Sequence, residues 1–127
     1  MSSKEKKLRD LDLGKFAEKT AADYYIKQGY VVKERNWRHG KSEIDLILQK
    51  DDTIVFVEVK ARSGDDEDPI NSVTLDKMKR MVRVSEAYLR EMDGIYYYRY
   101  DIFGFTGNMD RYETEVYQDA FLATDIF

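Results

Sequence analysis

The sequence has no cysteine and a single histidine, His39. The first absence excludes disulfides and thiolate metal sites and fits a reducing cytoplasm, the compartment expected here. The second excludes a multi-histidine zinc site, so any metal must be held mainly by oxygen. No apolar run approaches the roughly 18 residues needed to span a bilayer, so no membrane association is expected. Residues 1–7, Met-Ser-Ser-Lys-Glu-Lys-Lys, lack the apolar stretch of a secretory signal. Positive charge is not in excess either. The net charge is −4, which at first argues against a nucleic-acid partner.

The distribution of charge says more than its sum. Residues 1–62 hold 14 Lys/Arg against 11 Asp/Glu, a balance of +3, and residues 63–127 hold 7 against 14, a balance of −7. The first half could present a basic surface to phosphates and the second an acidic surface to a protein partner. Ordinary solvated surface is the alternative. With 127 residues, 43% of them hydrophobic, the chain can bury one core but not two.

Periodicity outlines a single domain over residues 13–121, with a frayed charged tail at 1–12 and a short C-terminal tail at 122–127. Leu13, Phe16, Ala17, Thr20, Ala21, Tyr24 and Tyr25 fall at helical spacing and predict a helix over 13–28. Asp12 is its expected N-cap and Gly29 its stop. Tyr30 to Val32 begins a strand, and 34–41 reads as a polar turn. Residues 43–48 alternate, and 54–60 are nearly continuously apolar until Glu58. The turn at 50–53 joins them into a central hairpin covered on both faces. An acidic loop at 63–69 leads to a helix over 73–92, with Met78, Met81 and Met92 on its core side. A tyrosine-rich strand follows from Ile95 to Phe105, its tyrosines read as packing, and an edge strand is expected near 113–117. The order α-β-β-β-α-β predicts an α/β fold with a central mixed sheet flanked by helices.

Four polar residues interrupt the hairpin. Glu43 and Asp45 share one strand face, and Glu58 and Lys60 share another. Paired around the 50–53 turn, the strands can bring Asp45 beside Glu58, next to the Lys60 ammonium. Two carboxylates in an apolar sheet repel and lose hydration, and a divalent cation would relieve both costs. Oxygen ligands suit Mg²⁺ or Mn²⁺. Spacing alone leaves a second reading open, a buried ion pair of Lys60 with Glu58 or Asp45.

The strings Asn36-Trp37-Arg38, Glu43-Ile44-Asp45-Leu46-Ile47 and Val55-Phe56-Val57-Glu58-Val59-Lys60-Ala61-Arg62 resemble the YraN-type uncharacterised family. That family is grouped with the PD-(D/E)XK, or restriction-endonuclease-like, nucleases and is similar to archaeal Holliday-junction resolvases. The likeness covers roughly residues 13–121. It includes Gly14, Glu18 and Ala21 in the first helix, Val73, Lys77, Arg80 and Ala87-Tyr88-Leu89 in the second, Arg99-Tyr100-Asp101, and Asp119-Ala120-Phe121. It departs at Ile44, where proline is common, at Ser42 and Ala17, where glycine is usual, and in the acidic 63–69 loop.

The resemblance implies a restriction-endonuclease-like fold and a Mg²⁺- or Mn²⁺-dependent endonuclease acting on DNA, with branched or structured DNA among the substrates. It implies that Asp45, Glu58 and the backbone carbonyl of Val59 bind metal, that Glu18 joins them, and that Lys60 is the catalytic lysine. Arg35, Trp37, Arg38 and Lys41, with Arg62 and the helix residues Lys77 and Arg80, are the candidate nucleic-acid contacts. For Trp37 the competing reading is a plug at the core edge. A homodimer is expected by analogy, because cutting a duplex takes two sites. The alternatives are a catalytically weak nucleic-acid-binding or repair-associated module, and a partner-docking protein.

Overall fold

A computed structural model of the chain describes residues 2–64 and 72–127. The elements run α1 (Ser3–Lys27), β1 (Val31–His39), β2 (Ser42–Lys50), β3 (Thr53–Arg62), α2 (Leu75–Glu91), β4 (Tyr97–Gly107), β5 (Tyr112–Tyr117) and α3 (Ala123–Ile126). The strands form one sheet in the order β1-β2-β3-β4-β5. Only β3 and β4 are parallel, joined by the α2 crossover, and the other pairs are antiparallel. This is the mixed sheet of the expected restriction-endonuclease-like α/β fold.

The apolar stretch of β3 is explained by cover on both faces. Val55 and Val57 pack with Leu46, Leu48 and Phe103 against Ala21, Ala22 and Tyr25 of α1. Ile54 and Phe56 pack with Ile47 and Tyr100 against Met81, Val82, Val84 and Tyr88 of α2. Met78 and Met92 are partly buried beside that second cluster. Among the described residues, no helix is long and apolar enough to cross a membrane.

Several boundaries differ from expectation. Helix α1 starts at Ser3, and its cap is Ser2, whose hydroxyl accepts from the Glu5 amide at 3.1 Å. Residues 3–12, expected to be frayed, are therefore helical. They are exposed on every side, so no apolar stripe marks them. The other end is as expected: Gly29, at φ +93°, follows the Gln28 C-cap.

The polar stretch expected as a turn is mostly strand. β1 runs to His39, leaving only Gly40 and Lys41 for the turn. β1 is an edge strand and largely solvent-facing, so it needs no apolar alternation. It is irregular, with a register shift between Val32 and Glu34 and a positive φ of 51° at Asn36. Helix α2 is capped by Thr74, whose hydroxyl accepts from the Lys77 amide at 3.2 Å. The C-terminal residues are not a free tail. After Phe121, which stacks on Tyr100 at 4.8 Å, a short α3 follows, and its Ala123 and Ile126 pack partly buried against the α2 cluster. Residues 65–69 of the expected acidic loop lie outside the described residues.

Candidate active site

The β2–β3 ladder runs from Lys50–Thr53 to Leu46–Val57 and stops. The next residues outward are Asp45 and Glu58. Where a backbone pair would continue, the Asp45 side chain takes over, and its Oδ2 accepts from the Val59 amide at 2.8 Å. A strand residue projects its N–H and C=O from the same edge, so the Val59 carbonyl opens onto the same gap.

The break has a visible cause in the neighbouring strand. Asn36, with its positive φ, falls between the pairs Arg35–Leu46 and Trp37–Ile44, opposite Asp45. Regular alternation would place Ile44 and Leu46 on one face. Instead Ile44 joins the cluster under α2 and Leu46 the cluster under α1. The irregularity turns Asp45 into the gap between strands.

Glu58 keeps the regular alternation of Ile54 and Phe56, faces α2, and is only 5% exposed. Its Oε2 lies 3.5 Å from the ammonium of Lys77. The contact is long and weak, though close enough for Lys77 to favour ionised Glu58, and Oε2 is buried with no hydrogen bond of ordinary geometry among the described residues. The alternative reading, an ion pair of Lys60 with Glu58 or Asp45, finds its Glu58 partner in Lys77 instead. Lys60, partly buried two residues along the same face, is near enough for its charge to favour ionised Glu58, but only as a secondary influence.

Burial pushes the Asp45 carboxyl up to about 8, and the Glu58 charge adds to the effect, while the Val59 amide opposes it. Glu58 is itself raised by burial, against the opposing charges of Lys77 and Lys60. Glu18 is raised by burial, against a 3.3 Å hydrogen bond from the Asn36 side chain. Glu18 on α1 and Lys77 on α2 both act on Asp45. The site therefore sits where the sheet opens between the two helical layers.

The orphaned Glu58 oxygen and the mutually repelling Asp45 carboxyl fit a divalent cation. Asp45, Glu58 and the Val59 carbonyl are the donors present, an all-oxygen set that suits Mg²⁺ or Mn²⁺ with waters completing the shell. Among the described residues, no three His, Cys, Asp or Glu side chains are gathered closely enough to hold an ion. The expected three-acid set with Glu18 is thus not assembled here. Glu18 is held by Asn36 and bears on the site through its charge.

The candidate nucleic-acid contacts scatter around this opening. Arg35, Arg38 and Lys41 are exposed on β1 and its turn, and Arg38 pairs with Glu43 at 3.4 Å. Arg62 is partly buried at the end of β3, on the face of Glu58 and Lys60. Arg80 is exposed on α2. Lys77 is partly buried and pairs with Glu58. Trp37 meets Tyr88 edge-on at 5.1 Å and packs against the α2 cluster, which is the core-edge reading, and His39 stacks beside it. In the tyrosine run Tyr100 is buried, whereas Tyr97 and Tyr98 are exposed.

Sequence reasoning missed Asn36 as the partner of Glu18 and Lys77 as the partner of Glu58. A positive φ at an Asn in an edge strand leaves no periodic trace. A helix lysine three residues past a cap reads as solvated surface.

The model of the uncharacterised protein family UPF0102 matches residues 17–105. A UPF0102 protein of Bacteroides thetaiotaomicron is 35% identical over 111 residues, covering 87% of this chain and 92% of that protein. One from Flavobacterium psychrophilum is 36% identical, covering 87% and 93%. One from Chlorobium phaeobacteroides is 42% identical over 79 residues, covering 61% and 63%. The matched span contains Glu18, Asp45, Glu58, Lys60 and Lys77.

Proposed function

The chain belongs to the UPF0102 family, and from that premise we propose that it is a metal-dependent endonuclease hydrolysing phosphodiester bonds in DNA, branched or structured DNA included. One observation carries the reading. Asp45 and Glu58 lie just beyond the end of the β2–β3 ladder, near enough for the charge of Glu58 to bear on Asp45, and a buried Glu58 oxygen has no hydrogen-bond partner among the described residues apart from its long ion pair with Lys77. A purely structural site gains little from this arrangement, because two neighbouring carboxylates are buried and the charge of Glu58 is offset only by a long ion pair to Lys77.

Asp45, Glu58 and the Val59 carbonyl would hold Mg²⁺ or Mn²⁺. Such an ion, when bound, polarises a phosphoryl oxygen and lowers the pKa of a coordinated water. The remaining work falls to the chain's own groups. The Val59 amide fixes the Asp45 carboxylate through its 2.8 Å hydrogen bond. Lys60, on the Glu58 face of β3, supplies positive charge where negative charge develops on the phosphate. Arg62 and Arg80 lie on the same side of the sheet, suited to holding the backbone on either flank.

The test is cleavage of duplex, single-stranded, flap and four-way-junction DNA with Mn²⁺, comparing wild type with Lys60→Ala, alongside calorimetric titration of Mn²⁺ into wild type and Asp45→Ala. Cutting that is lost in Lys60→Ala, with metal uptake lost in Asp45→Ala, supports the proposal. Equal metal binding in wild type and Asp45→Ala sinks the site. A gel shift without any cut points to the binding module instead.

A further inference from the structure

The lysine that touches Glu58 is not the one in the Glu-x-Lys motif. Lys77 comes from the first turns of α2, where Thr74 fixes its backbone: the Lys77 amide donates to the Thr74 hydroxyl at 3.2 Å and the Met78 amide to the Thr74 carbonyl at 3.0 Å. The backbone is anchored, but the head is loosely engaged. The Nζ–Oε2 distance is 3.5 Å, so Oε2 gains charge compensation without a hydrogen bond of ordinary geometry. The Glu58 side chain is 7% exposed and that of Lys77 is 29% exposed, so the ammonium has a way out to water and the carboxylate does not.

A lysine head is a compact charge on a flexible four-carbon stem, which can be withdrawn without moving the backbone. A divalent ion on Asp45 and Glu58 would supply the compensation that Lys77 now supplies, and at such short range the two cations repel. We propose that Lys77 is an exchangeable counter-cation: it neutralises buried Glu58 while the site is metal-free, and a divalent cation displaces it toward solvent on binding. The role rests on the metal site proposed above. It makes Lys77 a positioning residue that sets how tightly the site takes its ion and keeps the metal-free fold from carrying an unpaired buried carboxylate.

The experiment titrates MnCl₂ calorimetrically into wild type, Lys77→Met and Lys77→Arg, and melts each with chelator and with saturating Mn²⁺. Lys77→Met keeps the length of the stem without its charge. It should bind Mn²⁺ about tenfold more tightly than wild type, since a nearby competing charge is gone. It should melt below wild type in chelator, and the gap should close with Mn²⁺. Lys77→Arg should restore wild-type affinity. A merely structural Lys77 would leave affinity unchanged or weakened and the melting gap constant, which overturns the proposal while the metal site stands. No Mn²⁺ uptake by wild type or by Lys77→Met removes the metal site and this role together. If Lys77→Met does not fold, wild type carries the test alone. Acylation of Lys77 by an amine-reactive ester, followed by mass spectrometry, should speed up at saturating Mn²⁺, and an unchanged rate overturns the displacement.

Discussion

The Tyr25 hydroxyl donates a 2.8 Å hydrogen bond to Asp101, tying the last turn of α1 to β4 across 76 residues of sequence. Asp101 is fully buried and also accepts from Arg99 Nε and Nη2, at 3.0 and 3.2 Å, and from the Asp119 amide at 3.0 Å. Arg99 reaches on to the Tyr30 hydroxyl at 3.1 Å. The Arg99-Tyr100-Asp101 string is therefore a structural knot joining the helix, the sheet and the C-terminal segment. Asp101→Ala, which strands Arg99 without its anion, should cost about 3–5 kcal/mol of stability. Tyr25→Phe removes one hydrogen bond to a charged acceptor and should cost about 1.5–3 kcal/mol. Urea denaturation with unchanged m-values measures both, and an Asp101→Ala loss no larger than that of Tyr25→Phe would contradict the knot.

At the β4–β5 turn, Gly107 has φ +130°, and a Cβ there would lie 2.3 Å from the Arg111 carbonyl oxygen. The turn is closed by the Asn108 amide donating to that same oxygen at 2.9 Å, so the carbonyl cannot swing aside. Gly107→Ala should therefore lower stability by about 2 kcal/mol or more, combining strain with backbone displacement. Thermal melting reads the effect, and a melting point within a degree of wild type would show that the turn adapts.

The apolar skeleton was legible in the sequence because its residues are covered on two sides. The run from Ile54 to Val57 and the helical stripes holding Ala21 on α1 and Met81 and Tyr88 on α2 report their burial directly. Asp45 and Glu58 were legible because they break that pattern where the strands pair. Residues 3–12 were not, since a helix that buries nothing has no stripe to read. The strand from Glu34 to His39 was misread because an edge strand with a bulge and a kink at Asn36 has no alternation to show. The contact between Lys77 and Glu58 was hidden for another reason: it depends on how α2 docks, and no spacing along the chain encodes that.

Trp37 and Arg38 are neighbours on β1 with different jobs. Trp37 fills the space beside Tyr88 and the α2 cluster, so Trp37→Ala should cost about 2–3 kcal/mol, less than a fully buried tryptophan because the ring is partly exposed. Arg38, exposed and paired among the described residues with Glu43 alone, should be worth under about 1 kcal/mol. Denaturant melts of Trp37→Ala and Arg38→Ala should separate the two. In DNA-binding assays the order should reverse wherever the fold is intact, with Arg38→Ala flattening the salt dependence and Trp37→Phe leaving it alone. A Trp37→Phe variant that binds DNA poorly at full stability would return Trp37 to a base-stacking role.

The Asp45 carboxyl offers the sharpest test of the site, because its sign is the opposite of an ordinary salt-bridged aspartate. Burial and the charges of Glu58 on β3 and Glu18 on α1 raise it to about 8, while the Val59 amide and Lys77 on α2 only partly oppose them. The unfolded chain releases this proton near 4. The metal-free fold thus keeps a proton that the unfolded chain has lost. Its stability contribution is full below about pH 4 and is lost as pH rises toward 8, at up to about 1.4 kcal/mol per pH unit. Asp45→Asn retains an acceptor for the Val59 amide and removes the titration. With chelator present, the variant should lose less stability than wild type between pH 5 and 8 and melt above it at pH 8. Metal binding requires the ionised carboxylate, so wild-type Mn²⁺ affinity should climb by up to about tenfold per pH unit from 6 to 8 and level off above. Denaturation series at fixed pH values measure the first expectation and calorimetry the second. Parallel stability slopes for wild type and Asp45→Asn would mean that Asp45 is already ionised at neutral pH, and the account of a strained metal-free site would fall.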